Sequence, residues 1–163
     1  MPLEDKEFIR QGILRQLRIE HQNAIRSARV AHEAATNDES KAENKYDTRG
    51  LEASYLAEGQ SRRVAELEDA LAVYEKIELI QFDDDTPVRI TALVTLEDEH
   101  EDSQDLFIGP LSGGLKIKSN EREYLLVTPN APLGSALIGK RVGDEVTINT
   151  PGSTRHYEII NIC

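Results

Sequence analysis

The stretch Tyr46–Tyr74 reads YDTRGLEASYLAEGQSRRVAELEDALAVY. Within it, Tyr46, Gly50, Ala53, Ala57, Gln60, Val64, Leu67, Leu71 and Tyr74 step alternately by four and three. That spacing is the seam of a two-helix coil, held for about four heptads. Working back along the chain, Ile13, Leu17, Ala24, Ala28, Ala31 and Ala35 fall on one face of an earlier helix. No proline occurs between Glu4 and Ile80, and Gly12, Gly50 and Gly59 stand alone, so nothing but one polar break interrupts the helical pattern.

The break is Thr36-Asn37-Asp38-Glu39-Ser40, a run of small polar residues that ends the first helix. Ser40 with Glu43 has the spacing of a capping box, which starts the second. Two helices joined by about five residues must run antiparallel. Alanine dominates both seams near the turn, while Leu17, Leu67, Leu71 and Tyr74 stand at the other end. The expectation is an antiparallel coiled-coil hairpin over residues 1–80, thin at its turn and about 45 Å long at 1.5 Å per residue.

After Ile80 the period changes. Asp83-Asp84-Asp85-Thr86-Pro87 is a charged break, and Val88–Val94 reads as a strand. Further strands are expected at residues 105–108, 115–118, 123–128, 145–149 and 156–162, separated by turns such as Gly109-Pro110, Ser112-Gly113-Gly114 and Thr150-Pro151-Gly152. One short helix fits residues 132–138, stopped by Gly139. The fold class is therefore α+β: a helical hairpin over 1–80 and a β-rich domain over 81–163.

Composition narrows the function. The net charge is −11; residues 1–80 hold 12 basic and 16 acidic side chains, residues 81–163 hold 7 and 14. An acidic surface does not bind nucleic acid nonspecifically; it suits a partner with a positive groove, or cations. The single cysteine, Cys163, makes no internal disulfide. Residues 1–10 carry Glu4, Asp5, Lys6 and Glu7 and lack the apolar stretch of a signal peptide, and no segment reaches membrane-spanning length. A soluble, cytoplasmic monomer with no membrane contact is expected. His21, His32, His100 and His156 are scattered, so no zinc spacing exists, and no phosphate-binding glycine loop or nucleophile motif is present. Arg15, Arg18, Arg26 and Arg29 form a stripe that reads as a solvated helix face. Glu97–Asp102 reads as a solvated acidic loop.

The segment Ala131-Pro132-Leu133-Gly134-Ser135-Ala136-Leu137-Ile138-Gly139-Lys140-Arg141-Val142-Gly143-Asp144, followed by Thr150-Pro151-Gly152 and Tyr157-Glu158-Ile159, resembles the C-terminal domain of the Gre transcription elongation factors. That family joins a helical hairpin to a C-terminal domain of FKBP-like fold. The resemblance implies a factor that binds RNA polymerase at its secondary channel and rim and stimulates cleavage of backtracked transcripts. Such a factor is no enzyme alone and meets the nascent RNA only indirectly.

The hairpin turn resembles the family's tip through Glu43-Asn44; Ser40 stands where the family has an aspartate, and the tyrosine comes one position early. The resemblance gives the tip acids Asp38, Glu39, Glu43 and Asp47 their implied role in the polymerase active site. Glu43 and Asp47, four residues apart, would hold Mg²⁺ only together with the polymerase; no cofactor is expected on the chain alone. Carboxylates are the hard oxygen donors that Mg²⁺ and two-metal phosphoryl chemistry require. Against this stands the plainer role of Glu43 as a capping residue in a first helical turn. Two other functions stay open: a regulator that occupies the channel without cleavage, favoured by Ser40, and a peptidyl-prolyl isomerase. The second needs an aromatic-lined pocket, and residues 81–163 supply only Phe82, Phe107, Tyr124 and Tyr157.

Overall fold

The computed structural model describes residues 2–36 and 49–163. Helix α1 runs Pro2–Thr36 and α2 runs Arg49–Lys76. Pro2 opens α1 in the first turn, where no N–H partner is needed; Glu4 and Asp5 follow, favourably placed on the positive end of the helix dipole. By packing, Met1–Ile13 and Ile77–Cys163 form one compact unit, and Leu14–Lys76 form another.

In the helical unit the expected seam is the observed one from Gly50 to Tyr74; Tyr46 lies outside the described residues. Leu17, Ala24 and Ala31 of α1 and Leu67 and Tyr74 of α2 are buried, and Gly50, Ala53, Ala57, Gln60, Val64 and Leu71 are all half-buried. Ala70, off the stated seam, is buried as well. Arg18 pairs with Glu75 at 3.6 Å, Glu20 with Arg63 at 2.9 Å and His21 with Glu68 at 3.0 Å. The start of the α1 segment thus meets the end of α2, as antiparallel order requires. These pairs are largely exposed, so each contributes about 0–1 kcal/mol; the seam supplies most of the stability.

The other unit is built on one six-stranded sheet. Its strands are β1 (Leu93–Asp98), β2 (Ser103–Ile108), β3 (Lys116–Lys118), β4 (Glu123–Val127), β5 (Glu145–Thr150) and β6 (Ser153–Ile162), in spatial order β3-β4-β2-β1-β6-β5. All pairs are antiparallel except β2 with β4, where Asp105–Ile108 lie parallel to Tyr124–Val127. A bulge at Thr95/Leu96 in the pairing of β1 with β6 lets Leu96 meet Ile159 and leaves Ile160 unpaired and part-exposed. Helix α3 (Pro132–Leu137) follows β4 and buries Gly134 and Leu137. Val94, Leu96, Leu106, Ile108, Val127, Leu137, Val146, Ile159 and Ile162 form the core.

The expected strand at Val88–Val94 is corrected by the structure: β1 starts at Leu93. Val88 instead exchanges backbone hydrogen bonds with Gly139 and Lys140, and Ala92 N–H closes a turn on the Arg89 carbonyl. Thr91 has φ +73°, which no strand residue can adopt. Val88 and Ala92 are buried all the same, so the apolar run reported burial rather than extension. The acidic run Glu97–Asp102 divides between the end of β1 and the turn to β2. The Asp98 carboxylate accepts N–H bonds from His100 (2.8 Å) and Asp102 (3.0 Å). The N–H of Asp102, then that of His100, holds the Asp98 carboxyl below the usual carboxylate range.

Candidate functional site

The four acids singled out from the sequence, Asp38, Glu39, Glu43 and Asp47, lie outside the described residues, as do Ser40 and Tyr46. Their setting is given by the two helices that lead to them. Thr36 ends α1 with its hydroxyl donating to the carbonyl of His32 at 3.0 Å, and α2 begins at Arg49. Towards this end the seam consists of Ala24, Ala28, Ala31 and Ala35 against Gly50, Ala53 and Ala57. Side chains this small let helix axes approach at the short end of the 8–10 Å range. Among the described residues, no group of three His, Cys, Asp or Glu side chains is placed to hold a metal ion, and no helix is long and apolar enough to cross a membrane.

Arg15, Arg18, Arg26 and Arg29 are exposed on α1, and Arg18 is taken up by Glu75. The expected solvated stripe is what the structure contains.

In the sheet unit, an apolar cavity of about 470 Å³ opens beside α3, lined chiefly by Leu125, Val127, Ala131, Pro132, Leu133 and Ile148. The motif residues explain its form. Pro132 fixes the first turn of α3, and Gly139, at φ +82°, ends the turn that follows the helix. A Cβ on Gly134 would lie 1.9 Å from the Thr128 carbonyl oxygen, so only glycine lets α3 sit this close to the end of β4. The lining is aliphatic. Of the aromatics weighed for an isomerase pocket, Phe82, Phe107 and Tyr124 are buried and Tyr157 lines a different, acidic hollow with Glu97, Asp98, Glu145 and Glu158.

One cluster was not anticipated. Lys6 is fully buried, donates to the Ile80 carbonyl at 2.6 Å and lies 4.4 Å from the Phe82 ring centroid. The Arg89 guanidinium lies 5.4 Å from the same ring, and Arg10, one turn beyond Lys6, reaches the Ile77 carbonyl at 3.4 Å. Two cations thus hold the unwound stretch 77–82 to the start of α1. Burial pulls the Lys6 ammonium down to about 8. The i, i+4 spacing of Lys6 and Arg10 was visible in the sequence, but on a charged helix start it reads as solvated surface.

Residues 83–163 match the family described as "Transcription elongation factor, GreA/GreB, C-term". A transcription elongation factor GreA of Beijerinckia indica subsp. indica is 37% identical over 111 residues, which cover 68% of this chain and 65% of that protein. One of Xanthomonas axonopodis pv. citri is 29% identical over 149 residues, covering 88% and 87% of the two chains. Among solved structures, the GreA factor homolog 1 (Gfh1) protein of Thermus thermophilus aligns with a TM-score of 0.38 and 18% identity, covering 92% of this chain and 94% of that one. The matched stretch spans just under two thirds of the first of these relatives.

Proposed function

The chain belongs, through its C-terminal domain, to the GreA/GreB family of transcription elongation factors, and on that premise we propose that it binds RNA polymerase and promotes cleavage of backtracked transcripts by the polymerase's own active site. The observation that carries the reading is the family match over residues 83–163 in a chain whose other unit is an antiparallel helical pair. The α3 cavity supports polymerase docking: Leu133 and Ile148 border an aliphatic opening of the kind that takes an apolar side chain from a partner. Its aliphatic lining speaks against an isomerase.

The hairpin would then enter the secondary channel, with the chain between α1 and α2 foremost. Asp38, Glu39, Glu43 and Asp47 fall within residues 37–48, so all four carboxylates would travel with that end. As donors they fit Mg²⁺, which takes hard oxygen ligands and binds through one or two carboxylates alongside substrate phosphates. Glu43 and Asp47 are the residues proposed to hold it, with the polymerase supplying the remaining ligands. Bound there, the ion would provide an activated water for phosphodiester hydrolysis. Asp38 and Glu39 would add negative field beside it, and Lys41 and Lys45 would reduce that field.

A channel-occupying regulator without cleavage is the second reading, and one residue favours it: Ser40 stands where the family carries an aspartate. Transcript cleavage on stalled, backtracked elongation complexes separates the two. Glu43→Gln removes a charge while keeping the side chain's size. Under the cleavage reading it should slow transcript shortening at least about tenfold, or 1.4 kcal/mol, with polymerase affinity unchanged. Wild-type protein that binds polymerase yet never shortens a transcript leaves the regulator as the correct description.

A further inference from the structure

We draw no further inference here: the strongest candidate, the apolar groove between α1 and α2 lined by Ala31, Ala34, Ala53 and Leu56, carries nothing because nothing in the structure shows what covers it.

Discussion

Replacing Gly134 with alanine adds one methyl group where the backbone leaves no room for it. The new Cβ would stand 1.9 Å from the Thr128 carbonyl oxygen, 2.7 Å from its carbonyl carbon and 3.1 Å from a Val127 side-chain carbon. The first two are main-chain atoms at the end of β4, so no rotamer change relieves the clash. Either α3 or the turn after β4 must move by at least about 1 Å to reach ordinary contact distance. Helix propensity works the other way, since alanine is better than glycine by about 1 kcal/mol in a helix interior. Overpacking against a rigid neighbour costs about 1–3 kcal/mol, and here the obstacle is backbone, which places the cost at the upper end. A net loss of about 1–2 kcal/mol follows, and at about 4–8 °C per kcal/mol for a domain of this size the melting temperature should fall by about 5–15 °C. Ser135→Ala is the control: its site is exposed on the same helix, it carries the same propensity gain in kind, and it should be neutral or slightly stabilising. Thermal unfolding followed by circular dichroism reads both. A Gly134→Ala protein that melts with or above wild type would refute the claim that close approach to Thr128 is what the glycine is for.

Other consequences can be measured independently. The folded chain holds Lys6 near 8 against an ordinary 10.5, so between those values the unfolded chain binds more protons and stability should rise with pH. Relative to Lys6→Met, wild type should therefore gain stability from pH 8 to pH 10.5 in denaturant titrations; a flat difference would mean that Lys6 is not held out of water. Leu67→Ala removes a side chain only 1% exposed in the hairpin seam and should cost the helical unit about 2–5 kcal/mol, read as earlier loss of helix signal on heating. Leu133→Asp, at the rim of the α3 cavity, should weaken polymerase binding at least tenfold in a pull-down titration; unchanged binding would move the docking surface elsewhere.

The helical unit was legible in the sequence because a two-helix seam is a local code. Each of Ala53, Ala57, Val64, Leu67 and Tyr74 is placed by its neighbours three and four residues away, and no distant segment is needed to interpret it. The β-rich half was legible where turns punctuate it: Gly139 takes the positive φ foreseen for a helix stop, and Pro151-Gly152 joins β5 to β6. It failed at Val88–Val94 for a physical reason. A run of β-branched and apolar residues reports burial, and a buried loop held by Gly139, Lys140 and Ile108 meets that demand as well as a strand does. Only the left-handed Thr91 distinguishes the two, and threonine gives no warning of it.

Lys6 was illegible for a related reason. A lysine near a helix start beside Glu4, Asp5 and Glu7 has every mark of surface, and what buries it lies more than seventy residues away, at Ile80 and Phe82. A charge is tolerated there because its hydrogen bond to a carbonyl and its position by the ring offset part of the desolvation cost. The offset is incomplete, which is why the ammonium titrates low. A site of this kind is set by tertiary contacts alone.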